Sequence, residues 1–299
     1  MLQINRIRPL SKFKLFNRFF PVPVQHSYCH TLNPKMGMPL VEVVKKLKAY
    51  APLDLAEHWD NVGLLIEPSS GATVSTILVT IDLTEDVVDE AIENKARLII
   101  SYHPNIFKPL KTISQGHWKE RIISKCIKND IAVFSPHTTW DAMQNGVHEW
   151  LANAFQYSEN RPIIENKDYV GIYGVGRYIT LNNSISLKNA IALIKDHVGV
   201  PYVRVGVAKH RHLDSPISTV AICAGSGASV LSGILADLYL TGEMLHHEVL
   251  EATQNGINVI LCNHSDSERG FLKKFQETFK HEGLNVILSK IDKDCLETM

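Results

Sequence analysis

His264 and Glu268 stand four residues apart, directly after a segment, 257–262, that reads as a buried strand. With a helix beginning near Ser265 or Ser267, the imidazole and the carboxylate lie one turn apart and can converge on a single ion. The apolar run 98–101 leads into Tyr102, His103 and Pro104. Proline cannot continue the ladder, so His103 is expected at a strand end with its ring free. A third strand, over 131–134, runs into Ser135-Pro136-His137 and on to Asp141. His137 and Asp141 read either as two ligands or as a ligand and the group that orients it. A lone histidine at a strand end is ordinarily structural. Here His103, Asp141, His264 and Glu268 recur at strand ends, where ligands collect in open α/β sheets, and together they point to a metal site.

Further polar groups follow other strands. Asp82 ends the strand 75–81 and is either a turn residue or part of the site rim; Thr84 after it is a good helix N-cap, with Glu85 and Asp86 in the first turn. Glu243 follows the strand 236–241, and the adjacent His246 and His247 point in different directions, so only one of them, with His247 as the candidate, is expected at the rim. Gly225-Ser226-Gly227 lies between a strand and a helix. Its small residues suit either an anion held by backbone N–H groups or simply a tight turn. Gly174-Val175-Gly176 precedes Arg177, which is expected to be available to an anion. Trp59, within a polar turn, reads as a core anchor.

These groups need elements to carry them, and the elements recur. Each half of the chain reads helix, strand, strand, helix, strand, helix, strand, first from Pro39 to Asp141 and again from Ser186 onward. The expected architecture is a duplicated α/β fold of two intertwined, similar halves with mixed sheets flanked by helices. The halves are placed at 38–157 and 169–299, with the polar, aperiodic stretch 158–168 as linker. Residues 1–37 hold Arg6, Arg8, Lys12, Lys14, Arg18 and Lys35 without an acid, interleaved with phenylalanines, which resembles a mitochondrial transit segment. Localisation is therefore expected to be mitochondrial, cytoplasmic or both.

The 299-residue chain is 45% hydrophobic and carries no formal net charge, so composition indicates a globular protein and offers no nucleic-acid signal. No run approaches the roughly 18 apolar residues of a membrane span. Five scattered cysteines without a C-x-x-C spacing give no structural zinc knuckle and indicate a reducing compartment.

Trp59-Asp60-Asn61-Val62-Gly63, Ser101-Tyr102-His103-Pro104 through Phe107, Pro136-His137-Thr138 through Asp141, Gly174 to Arg177, Gly225-Ser226-Gly227, Thr241-Gly242-Glu243 with His246-His247, and His264 through Glu268 occur in this order. Over about residues 39–290 the chain resembles the Nif-three-like family, also called GTP cyclohydrolase 1 type 2 homologues. The resemblance implies a two-metal cleft held by His103, Asp141, His264 and Glu268, and assembly into toroidal hexamers. Tyr102 stands where the family carries a second histidine. A phenol with a pKa near 10 is a poor neutral-pH ligand, which argues against a full second divalent site.

Two functional classes follow. One is a metal-binding protein with a hydrolase-like site acting on a nucleotide or other small phosphate-bearing substrate, its anion held by Gly225, Ser226, Gly227 and Arg177. The other is a non-enzymatic regulator or adaptor that keeps a structural metal and works through protein partners.

Overall fold

The computed structural model describes residues 37–69, 71–168, 171–280 and 284–297. The leader expected over 1–37 thus lies, apart from Gly37, outside the described residues. The first half runs through the helix Leu40–Tyr50, strands Gly63–Ile66 and Thr76–Thr80, helix Glu85–Glu93, strand Leu98–Ser101, helix Trp118–Lys128 and strand Ala132–Ser135. The second runs through Leu187–Val198, Arg204–Gly206, Pro216–Ser226, Ala228–Leu231, Leu238–Glu243, His246–Gln254 and Asn258–Leu261, with the same alternation of helix and strand.

Local chemistry sets several boundaries. Thr84 caps the helix Glu85–Glu93 by accepting the Val87 N–H at 3.3 Å, and acids fill its first turn, where the helix dipole favours them. Ser186 caps Leu187–Val198, and Gly199, at φ +80°, ends it in the left-handed conformation that glycine takes without penalty.

Two mixed sheets result. In the first, Asn285–Leu288, Thr76–Thr80, Leu98–Ser101 and Ala132–Ser135 are parallel neighbours, and Gly63–Ile66 closes the edge antiparallel. In the second, Pro216–Ser226, Leu238–Glu243 and Asn258–Leu261 are parallel, with antiparallel strands outside them. The halves are interlaced because Asn285–Leu288, from the end of the chain, pairs with Thr76–Thr80 of the first sheet. The stretch 158–168 is not an irregular linker. Tyr157–Arg161 forms the edge strand beside Arg177–Ser186, and Ile164–Glu165 pairs with Gly174–Val175. An edge strand needs backbone pairing on one side only, so polar side chains are no obstacle and protect the edge.

Strand alternation divides the core. Ile77, Val79, Leu98 and Ile100 face a large shared cluster containing Ile222 and Leu240 of the second sheet and Phe271 and Phe275 of the helix Phe271–Lys280. Leu78 and Ile99 face the opposite way, onto Val87, Val88, Ile122 and Ile123 of the flanking helices. Trp140, 1% exposed, lies 4.6 Å from Phe275 and 5.3 Å from Phe271 between ring centroids, tying the segment that bears Asp141 into this core. Truncating Phe275 to alanine is worth about 3–5 kcal/mol by the usual cost of deleting a buried ring. Among the described residues, no helix is long and apolar enough to cross a membrane.

Candidate metal centre

The strand ends of both sheets bring His103, His264 and Glu268 together, with ligand atoms all within 4.8 Å of one another. His103 leaves the first sheet after Leu98–Ser101, and its N–H is held by the Ile81 carbonyl at 3.0 Å. His264 follows Asn258–Leu261, and Glu268 lies in the one-turn helix Asp266–Arg269. Glu268 Oε2 is 3.4 Å from His103 Nε2, and Oε1 is 3.5 Å from His264 Nε2.

Each histidine is oriented from behind. Asp82 Oδ1 holds His103 Nδ1 at 2.9 Å, and Glu243 Oε1 holds His264 Nδ1 at 2.8 Å. A carboxylate on Nδ1 fixes the tautomer and turns Nε2 toward the common point, an arrangement typical of metal-binding histidines. Burial opposes a charge on His103, but the carboxylates of Glu268 and Asp82 outweigh it and hold the ring up at about 10, so an ion would bind there by displacing the Nε2 proton. His103 Nε2 and Glu268 Oε2 are buried and have no hydrogen-bond partner. They face each other at 3.4 Å, within ion-pair distance but without a hydrogen bond, so an ion bridging them would satisfy both. Two imidazole nitrogens and a carboxylate oxygen suit a divalent ion, so the residues present fit the expected metal.

Gly225 is required beside this cluster. Its φ is +64°, and a Cβ there would meet Glu268 Oε1 at 2.6 Å and His264 Nε2 at 3.2 Å. The loop's amides are nevertheless engaged: Gly225 N–H donates to Ser267 Oγ at 2.8 Å and Gly227 N–H to Thr241 Oγ1 at 3.1 Å. Of the expected anion loop, those two donors are spent within the fold, while Ser226 lines the cavity. Arg177 is likewise not available to an anion. It is 1% exposed, its guanidinium paired with Glu149 at 3.1 Å and donating to the carbonyls of Gly174 and Gly176. A buried guanidinium must satisfy its donors inside, and here it does so by fastening the glycine strand.

Asp141 lies outside the three-residue cluster. Tyr102, 1% exposed, donates its hydroxyl to Asp141 Oδ1 at 2.6 Å. Burial, then the Asp141 and Glu268 charges, push the Tyr102 pKa well up, so it remains a phenol and a donor. Burial raises Asp141 to about 7, against the lowering effects of His137 and the Tyr102 hydrogen bond. His137 stands beside both, its Nδ1 2.8 Å from Asp60 Oδ1. Asp60 also accepts from Thr138 N and Oγ1. His137 holds φ +37°, an unfavourable conformation for a side chain with a Cβ and one that clusters at functional sites.

A cavity of about 400 Å³ opens onto the cluster, lined among others by Glu57, Trp59, His137, Asp141, His264 and Glu268. Trp59 is no core anchor: it is 51% exposed, edge-on to Phe107 and His137. A smaller cavity of about 330 Å³ lies at Asp82, His103, Glu243 and His264. His247 is absent from both linings and lines a separate cavity beside its own helix. Sequence reasoning gave Glu57 no role and Asp60 none beyond its place in the Trp59–Gly63 motif. An acid followed 77 residues later by the histidine it holds leaves no local signal.

Two carboxylate-oriented histidines and a buried glutamate, gathered at the strand ends of two interlaced sheets, define a metal-site α/β protein. The Duf34/NIF3 (NGG1p interacting factor 3) family model matches residues 38–295, and the chain belongs to that family. It is 48% identical over 272 residues to NIF3-like protein 1 of Drosophila melanogaster, spanning 90% of this chain and 92% of that protein. It is 34% identical to the Homo sapiens NIF3-like protein 1, spanning 93% and 98%. A Staphylococcus aureus hypothetical protein superposes with TM-score 0.76 at 28% identity, over 88% of this chain and all of that one. Reduced HcgD from Methanocaldococcus jannaschii shares the fold, with TM-score 0.73 at 23% identity over 85% and 98% of the two chains.

Proposed function

We propose that the protein is a metal-dependent hydrolase whose substrate, a nucleotide or another small phosphate-bearing molecule, enters the 400 Å³ cavity beside the cluster. The carrying observation is the convergence of His103 Nε2, His264 Nε2 and the Glu268 carboxylate within 4.8 Å, with the buried His103 Nε2 and Glu268 Oε2 making no hydrogen bond. A divalent ion held by His103, His264 and Glu268 would supply Lewis-acid polarisation of a substrate oxygen and acidify water. Asp141, with a pKa near 7, can take up and return a proton at neutral pH, and the Tyr102 hydroxyl holds its carboxyl in place. His137, oriented through Nδ1 by Asp60, lines the same cavity. Trp59 offers an apolar surface at the same cavity. With Arg177 and the Gly225 and Gly227 amides spent, the phosphate's countercharge would come from the ion.

The test is metal content and turnover of the purified chain. Wild type should retain a divalent ion and hydrolyse members of a nucleotide and phosphodiester panel, and His264→Ala should lose both. Equal metal in wild type and His264→Ala would refute the site. Metal retained without turnover would favour the second reading, a regulator or adaptor with a structural ion. The Tyr102–Asp141 hydrogen bond supports that alternative, because it occupies a carboxylate that a second ion would use. A closed homo-oligomer and a mitochondrial or cytoplasmic location remain part of the proposal, the first from the family resemblance and the second from the basic leader.

A further inference from the structure

We infer that the C-terminal segment 289–294 sets the mutual position of the three metal-holding residues, with Asp292 as the positioning residue; the inference rests on the metal-site reading above. His103 arrives from the first sheet, whereas His264 and Glu268 arrive from the second. Metal–ligand distances tolerate only about 0.2 Å, so something must register the two sheets at this point more finely than apolar packing does.

The tail touches the chain neighbours of His264 and Glu268 and the residue whose carbonyl holds the His103 N–H. Asp292, whose side chain is 4% exposed, accepts the Ile81 N–H at 2.8 Å and pairs with the Arg269 guanidinium. Ile81 is the residue whose carbonyl holds the His103 N–H, and Asp82 after it holds the His103 ring. Arg269 is bonded directly to Glu268 in the chain. Asp294 Oδ2 accepts from Ser265 N at 3.2 Å and Ser265 Oγ at 2.7 Å, and Ser265 follows His264. Arg269 Nη2 donates to the same Ser265 hydroxyl at 2.7 Å, closing the network.

The segment is itself anchored to the first sheet. Ser289 N–H donates to the Val79 carbonyl at 2.9 Å, and Glu90 accepts from Ser289 Oγ at 2.5 Å and Lys290 N–H at 2.8 Å. Asp292 therefore forms a charged, directional link from the end of the strand Thr76–Thr80 to the helix Asp266–Arg269. Charge-assisted hydrogen bonds of this kind fix geometry as well as contribute energy. Without its carboxylate, the Ile81 N–H and the Arg269 guanidinium lose their common acceptor, and His103 loses its register with Glu268.

The test measures the zinc affinity of the full chain by competition with a chromophoric chelator, alongside thermal unfolding. Asp292→Asn should weaken zinc binding about 10–100-fold, the range for residues that support metal ligands from behind, and Asp292→Glu should recover part of the loss. Val286→Ala, in the strand Asn285–Leu288 but without polar contact to the network, should lower the melting temperature and leave zinc affinity unchanged. If Asp292→Asn does not fold, Arg269→Gln breaks the same link and is read in the same way. Folded Asp292→Asn, or Arg269→Gln in its place, with wild-type zinc affinity would overturn the inference alone. So would an equal loss of affinity in Val286→Ala at matched destabilisation. Absence of zinc binding by wild type would overturn the metal-site reading and this inference together.

Discussion

Replacing Gly225 by alanine separates the demands of the backbone from those of the metal. An alanine at φ +64° costs about 1 kcal/mol relative to glycine, whatever surrounds it. The new Cβ would also stand 2.6 Å from Glu268 Oε1. An ordinary carbon–oxygen contact is about 3.3 Å, so the carboxylate must retreat by roughly 0.7 Å. That exceeds the tolerance of about 0.2 Å in a metal–ligand distance several times over. Gly233 supplies the control: its φ is +78°, and a Cβ there meets nothing within 4 Å. Gly233→Ala should lose about 1 kcal/mol of stability, and Gly225→Ala at least as much. Only Gly225→Ala should weaken zinc binding, by at least about tenfold, which is about 1.4 kcal/mol. Chelator competition and thermal unfolding of the two variants give both quantities. Equal zinc affinity in Gly225→Ala and Gly233→Ala would refute the placement of the ion beside Gly225.

Tyr102→His removes the phenol that holds Asp141 and supplies a far better neutral-pH ligand, so metal per chain by elemental analysis should rise; an unchanged ratio would mean that Asp141 and the new ring do not form a second site. His148 is buried, and burial, aided by the Arg177 charge, lowers its pKa to about 3, below the roughly 6.5 of an unfolded histidine. The unfolded chain then binds the extra proton between these values, so this contribution is full above about pH 6.5 and is lost as pH falls toward 3. The loss amounts to about 2 kcal/mol by pH 5. Denaturant unfolding at pH 7 and pH 5 should show this loss in wild type and a smaller one in His148→Gln; parallel losses would refute the assignment. Light scattering at micromolar concentration should give a closed homo-oligomer, and a monomer alone would contradict that expectation.

The parts legible in the sequence were those governed by neighbours along the chain. Hydrophobic period and capping residues predict Glu85–Glu93 behind Thr84, and Pro104 predicts that His103 ends its strand. The four-residue spacing of His264 and Glu268 predicts that they can converge, and they approach to 3.5 Å although His264 precedes the helix Asp266–Arg269. Polar composition misled at 158–168, because an edge strand is specified by its partner's backbone and not by its own apolar pattern. It misled again at Trp59, since an aromatic side chain in a polar turn does not reveal which side of it faces solvent.

The sequence by itself determined the alternation of helices and strands and the chemical types available at their ends. Tertiary structure alone decided which of those groups meet. Asp82 reaches His103 across 21 residues, Asp60 reaches His137 across 77, and Asp292 reaches Ile81 across 211. It also turned Arg177 inward onto Glu149, gave the Tyr102 hydroxyl to Asp141, and pressed Gly225 against Glu268. The physical reason is that periodicity and capping act over one or two turns of chain, whereas an ion pair or a steric limit depends on distances set only when the two sheets pack.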